Sequence, residues 1–283
     1  LAGLDYGWVY HGPGAQYYGG DTKLEGRATL HAFDLSANPI QAGEALTATV
    51  YFRNEGQRGT DRFYVRLVDA DGYVWVDGAV QPRSGFEEAF RRRKAIVEGT
   101  ATLTLPIGMP PGVYVLKMGY RDEISGEIIG EFNLPAEHDD VTVTLPDTFP
   151  SAETVQPRHA AHLIVEDELR LFSYALSAEQ VLPGQAVWLT LYWQALRDVH
   201  RDYVIGIQLV DTAGKEVAYW LGRPAMSRYP TNEWRAHQVV QDPWRLQLPL
   251  GIPAVRYSLN VAVYDAQTGK VIGKASLTEL TAR

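Results

Sequence analysis

Apolar and polar residues alternate with a period of two along most of this chain. Between 44 and 53, Leu46, Ala48, Val50 and Phe52 fall on one side, and Thr47, Thr49 and Tyr51 on the other. Between 185 and 194, Val187, Leu189, Leu191 and Trp193 oppose Trp188, Thr190 and Tyr192. That period marks half-buried β-strands, held in the same register twice. Further strand signals lie near 27–35, 62–69, 73–80, 99–105, 113–121 and 127–134. A second set lies near 168–176, 203–211, 215–221, 238–248, 256–264 and 270–278. Short strands separated by Gly, Pro and Asp turns predict an all-β fold, with each set forming an immunoglobulin- or fibronectin-like β-sandwich. The segment 86–99, FEEAFRRRKAIVEG, has the Glu-before-Arg spacing of a helix surface. Its counterpart in the second set contains prolines, so a loop or short turn leading into a strand is expected.

The two sets are copies of each other. Phe33–Arg53 aligns with Tyr174–Gln194 without a gap at an offset of 141, and VRLVDADG ending at Gly72 aligns with IQLVDTAG ending at Gly214 at 142. Residues 105–130 align with 248–273 at 143, with ten of 26 positions identical. An offset that grows by single residues places the length differences in loops. The expected organisation is an N-terminal Gly/Tyr-rich arm (1–26), a first sandwich (27–145), a Pro-containing linker (146–165) and a second sandwich (166–283). The arm has no sequence copy in the second half. It is expected to pack on its own sandwich, the alternative being strand addition to a neighbouring chain.

Composition narrows the function classes. The chain has 283 residues, 26 Lys plus Arg against 34 Asp plus Glu, and a formal charge of −8. Nucleic-acid and anionic-membrane binding need a basic footprint that such a chain lacks. Without cysteine it has no disulfide, thiolate metal site or cysteine nucleophile. No apolar run approaches the roughly 18 residues of a membrane helix. The chain opens on Leu1, as expected of a processed or partial chain whose anchor or export signal lies outside it. Arg exceeds Lys by 20 to 6, which is compatible with a thermophile.

No nucleophile elbow, phosphate loop, zinc helix or dinucleotide fingerprint occurs, so no catalytic residue, cofactor or metal ligand is expected. His159 and His162, near Glu166 and Asp167, have a helix-like spacing but sit before a strand. Asp69-Ala70-Asp71-Gly72 resembles the opening of a calcium loop without its closing Glu, and a hairpin turn accounts for it better. Asp139 and Asp140, and the Arg91-Arg92-Arg93 run, read as solvated charge. Tyr114 and Tyr257 stand just after a turn at the start of a late strand, the place of a tyrosine corner.

Seven Trp, 16 Tyr and 8 Phe are the unusual feature. Trp188, Trp220, Tyr229, Trp234 and Trp244, with Tyr192 and Tyr219, concentrate in the second repeat. Trp and Tyr faces suit sugar rings, which makes the first five candidate ligand-binding residues; packing under a long loop or against the other domain is the alternative.

LSAEQVLPGQAVWLTLYWQAL, IQLVDTAGKEVA, YPTNEW, VVQDPWRLQLP and YSLNVAVYDAQTG resemble a β-sandwich repeat of exported proteins of Chloroflexota-type bacteria. The same repeat occurs at the C-terminus of their membrane glycosyltransferase-like proteins. The resemblance covers most of 171–273 and, more loosely, 30–130. It departs in lacking Pro-Gly before Tyr257 and in having Ala236-His237 where Gly-Glu is usual. It implies an extracytoplasmic setting and a link to glycans. The leading expectation is a non-catalytic, extracytoplasmic tandem β-sandwich at the cell surface, engaging a protein partner or itself through the N-terminal arm. The alternative is a carbohydrate-binding accessory region of a surface glycosyltransferase or glycoside hydrolase.

Overall fold

The computed structural model describes residues 17–24, 26–55, 61–83, 96–136, 138–155 and 159–283. The first part of the arm, the bulk of 86–99 with the Arg91–Arg93 run, and residues 156–158 of the linker lie outside them. The described strands form two compact units. The first contains β1 (Tyr17–Leu24), β2 (Ala28–Leu35), β3 (Ile40–Gln41), β4 (Ala45–Asn54), β5 (Asp61–Val68), β6 (Val74–Ala79), β7 (Gln81–Pro82), β8 (Ile96–Thr104), β9 (Gly112–Asp122), β10 (Ile128–Glu131) and β11 (Asp140–Thr144). The second contains β12 (His159–Val165), β13 (Leu169–Leu176), β14 (Gln180–Val181), β15 (Ala186–Ala195), β16 (Tyr203–Val210), β17 (Glu216–Gly222), β18 (Val239–Gln247), β19 (Arg256–Asp265) and β20 (Val271–Ala282).

Each unit is a β-sandwich. In the first, one sheet runs β1-β2-β4-β8-β7 and the other β3-β11-β9-β5-β6, with β10 also on β9. In the second, the sheets run β12-β13-β15-β18 and β14-β20-β19-β16-β17. The strand order is the same in both except that β7 has no counterpart on β18 and that β20 runs where β10 and β11 lie; each unit has one short parallel pair, β3 with β11 and β14 with β20. All other pairings are antiparallel.

The alternation read from the sequence sets the inner faces. Leu46, Ala48, Val50 and Phe52 of β4 are fully buried, as are Val187, Leu189, Leu191 and Trp193 of β15. Phe63 anchors the first core, its ring 4.8 Å from Phe52, 5.1 Å from Tyr120 and 5.5 Å from Phe132. Trp193 occupies the place of Phe52 in the second core. Burying a large side chain of this kind contributes about 2–3 kcal/mol.

Besides β11 and the two-residue β3, β7 and β14, which also lie outside the expected set, two longer strands stand where no strand was expected. The arm contributes β1, which pairs with β2 of its own unit. The linker region contributes β12, which pairs with β13 in the equivalent place, so the end of the arm does have a structural counterpart. Both extra strands are seated on a glycine. A Cβ on Gly130 would lie 2.7 Å from Leu24 of β1, and one on Gly273 would lie 3.2 Å from Leu163 and Val165 of β12. Those glycines close the repeated IIG and VIG motifs, and close strand approach is the reason for them.

The turns are built alike. Asp69 Oδ1 accepts the backbone N–H groups of Asp71 and Tyr73, and Asp211 Oδ1 those of Ala213 and Lys215. Gly72 and Gly214 follow at φ +80° and +82°, where an L side chain is strained. The calcium-like Asp69–Gly72 stretch is therefore a hairpin turn between β5 and β6. Tyr257 donates its hydroxyl to the Pro253 carbonyl at 2.8 Å, as a tyrosine corner does. Tyr114 is buried edge-on to Trp75, with ring centroids 5.6 Å apart.

Candidate functional site

The five aromatics singled out by the sequence do not converge on one surface. Tyr229 and Trp234 are 3% and 1% exposed and hold the long connection between β17 and β18 from within. Their rings stack at 6.2 Å, Trp234 Nε1 donates to the Tyr229 carbonyl, and the Tyr229 hydroxyl lies 3.1 Å from Gln238 Oε1. Both are packing residues, which corrects their candidacy as ligand platforms.

Trp244 and Trp220 sit on inward sides of their strands. Trp244 is opposite Leu189, and Trp220 is opposite Ile207; both partners are fully buried, while the two indoles are half-buried. Gly222 of β17 leaves room for the Trp244 ring, a Cβ there coming within 3.4 Å of it. Trp244 Nε1 and Trp193 Nε1 both donate to Asp242 Oδ2, at 2.8 and 3.2 Å, and Ala225 N–H donates to Oδ1 at 2.7 Å. Burial pushes the Asp242 carboxyl up to about 7, against the lowering effect of those three hydrogen bonds. The chain reaches Asp242 through Ala225, Met226 and Ser227, all left-handed at φ +51° to +65°. Trp188 alone of the five lies on an outward side, half-buried opposite Arg245.

An aromatic pair that is open to solvent lies on the outer face of the other sheet of the second unit. Gly206 of β16 is flanked diagonally by Tyr219 of β17 and Tyr264 of β19, following the register Gln208↔Tyr219 and Val204↔Tyr264. Diagonal positions are within reach of aromatic side chains, and both rings close over the glycine. A Cβ on Gly206 would lie 2.6 Å from the Tyr219 hydroxyl and 2.9 Å from the Tyr264 ring. The Tyr219 phenol is raised above its ordinary value, first by burial and then by its hydrogen bond to Tyr264. Tyr219 is still 38% exposed, with Leu221 at 57% beside it. Gln208 and Asn260 stand on the same outer face and are half-buried.

The first unit fills this place differently. At the position of Gly206 it has Tyr64, 0% exposed. At those of Tyr219 and Tyr264 it has Asp77 and Arg121, which form an ion pair at 2.8 Å. Arg66 and Arg121 lie over the Tyr64 ring at 5.1 and 5.8 Å, and the Tyr64 hydroxyl donates to Glu131 at 2.7 Å. The face closed by charge in one copy carries bare aromatics in the other. Comparison of the two repeats at fixed offset exposes that exchange; a search for tryptophan passes over Gly206 and Tyr264.

Among the described residues, no three His, Asp or Glu side chains come together as a metal site would require. His159 stacks on Tyr174 at 5.0 Å. No helix among the described residues is long and apolar enough to cross a membrane.

No family model and no curated protein matches the chain. Among solved structures, it is similar to the C-terminal domain of wzt, at 13% identity and a TM-score of 0.36, covering 48% of this chain and 87% of that one. A Pseudomonas fluorescens alkylpurine DNA glycosylase, AlkC, bound to DNA with an abasic-site analogue, gives 13% and 0.29 over 41% of this chain and 30% of that one. A DUF4785 family protein from Legionella pneumophila gives 12% and 0.28 over 88% and 56%. At such scores the likenesses carry no argument about ligand; the sandwich assignment stands on the strand pairing itself.

Proposed function

We propose that this chain is a non-catalytic, extracytoplasmic tandem β-sandwich whose second unit binds carbohydrate, with Tyr219 and Tyr264 as the stacking platform. The observation that carries the reading is the pair of tyrosine rings lying over Gly206 on an outer sheet face. Tyrosine rings on an outer sheet face suit the C–H side of a pyranose, and amides such as Gln208 and Asn260 suit its hydroxyls. The extracytoplasmic setting rests on the sequence resemblance. A protein partner is the second reading, favoured by Leu221, 57% exposed on β17, which ends the sheet order and offers its edge for strand addition.

The test is calorimetric titration of the chain with neutral oligosaccharides chosen from a glycan array. Tyr219→Ala and Tyr264→Ala should each weaken binding about tenfold, equivalent to about 1.4 kcal/mol. Trp220→Ala, on the inward side of β17, should change it little. An array without a binder, or affinity indifferent to both tyrosines, would overturn the reading.

A further inference from the structure

A second site lies on the other sheet of the same unit, where two neighbouring strands lose register together. Between the pairs Ala160↔Ser173 and Leu163↔Leu171, two residues of β12 oppose the single residue Phe172 of β13. The same Phe172 is the extra residue of β13 against β15. Bulges re-aim side chains and are over-represented beside binding sites. Here the bulge borders a depression of about 550 Å³ lined by Ala161, His162, Leu163, Ile164, Arg170 and Phe172, within the range of ligand sites.

Arg170 is the chemically distinctive member. One of its Nη2 hydrogens goes to Gln194 Oε1 at 2.7 Å, and its guanidinium lies 5.7 Å from the centre of the Phe172 ring. Its Nε is buried without an acceptor among the described residues, and a buried N–H left unpaired costs about 1–3 kcal/mol. Arg197, Arg201, Arg223 and Arg256 of the same unit pair with Glu168, Glu166, Asp202 and Glu279. Arg170 pairs with no carboxylate among the described residues, in a chain of net charge −8. The first unit bulges at the same place, around His31, but has Thr29 and His31 where the second has Arg170 and Phe172, so the bulge is common to both units and the arginine belongs to the second alone.

We infer that this depression binds the carboxylate of an acidic sugar unit, a uronate. The planar guanidinium offers a carboxylate two parallel N–H donors, and Ile164 and Phe172 give an apolar wall for the C–H face of the ring. His162, exposed at the rim, is a further donor. From the preceding reading the inference takes only that the unit binds sugars; it shares no residue with the tyrosine platform.

The experiment titrates the whole chain by calorimetry with three probes: a glucuronate-containing oligosaccharide, a neutral oligosaccharide of equal length, and oligoglutamate. The acidic sugar should bind at least tenfold tighter than the neutral one, more weakly as salt rises. Arg170→Gln should abolish that preference and Arg170→Lys should restore part of it, with circular dichroism confirming the fold of each. Equal affinity for acidic and neutral sugars, or a preference retained by Arg170→Gln, would overturn the inference. Tighter binding of oligoglutamate would also overturn it, in favour of an acidic peptide. Tyr219→Ala separates the two readings, because it should weaken the neutral sugar and leave the Arg170-dependent preference unchanged.

Discussion

Asp242 is surrounded by donors. Two indole N–H groups and one backbone N–H point at its oxygens, and its side chain is fully buried. Those donors favour the carboxylate and burial favours the acid; burial is the larger effect, which leaves the group near 7. An unfolded Asp titrates near 3.9, so between about pH 4 and 7 the folded chain holds a proton that the unfolded chain has released. The stabilisation from this group is therefore complete below about pH 4 and is lost as pH rises through 7. Urea midpoints for wild type should fall from pH 5 to pH 8 more steeply than those of Asp242→Asn. A parallel pH dependence in the two would refute the assignment. The variant should also be destabilised by about 1–3 kcal/mol at either pH, since its amide N–H₂ must face a donor.

At the scale of elements, Gly119 of β9 separates what is common to the two units from what is particular. A Cβ there would collide with the Gly130 carbonyl oxygen of β10 and come within 3.0 Å of Glu131 Cα and the Tyr64 hydroxyl. The second unit carries Ala262 at this position, paired with Lys274 of β20, although β20 makes the same shift between Val271 and Gly273 that β10 makes between Ile128 and Gly130. Gly119→Ala should displace β10, break the Tyr64–Glu131 hydrogen bond and cost about 1–3 kcal/mol. A thermal midpoint within a degree of wild type would contradict this.

The same scale shows what the sequence could convey. Alternation with bulky or β-branched residues located the long strands to within a few residues. It did not reveal β1, because YYGGDTKL gains its strand character only from pairing with β2. In β12, Ala161, Leu163 and Val165 do alternate inward, but small alanines and a nearby proline-rich stretch hide the pattern. For the candidate site, alternation separated inward from outward positions on β15. It could not show that the connection holding Tyr229 and Trp234 folds back over its own aromatics, since that depends on left-handed turns at non-glycine residues.

For the molecule as a whole, duplication supplies its own control. Apart from β7, both sandwiches use one strand order, and each supports a different cluster at the same five positions of an outer face. The first unit has Tyr64, Arg66, Asp77, Arg121 and Glu131; the second has Gly206, Gln208, Tyr219, Tyr264 and Lys274. In the first, the Arg66–Glu131 and Arg121–Asp77 pairs cover a buried tyrosine. In the second, a glycine leaves the space that two tyrosine rings occupy. Because the sheet underneath pairs in the same register, exchanging the cluster should leave the fold in place while changing the surface. A chain carrying Gly206→Tyr, Gln208→Arg, Tyr219→Asp, Tyr264→Arg and Lys274→Glu, with Ala262→Gly to admit the new tyrosine as Gly119 does in the first unit, should keep its β circular dichroism spectrum and a cooperative melt, and lose neutral-sugar binding altogether. Retained affinity would mean that the ligand is held elsewhere on the second unit. Loss of the cooperative melt would mean that the cluster is coupled to its own core, and that the two outer faces are not interchangeable as the shared register requires.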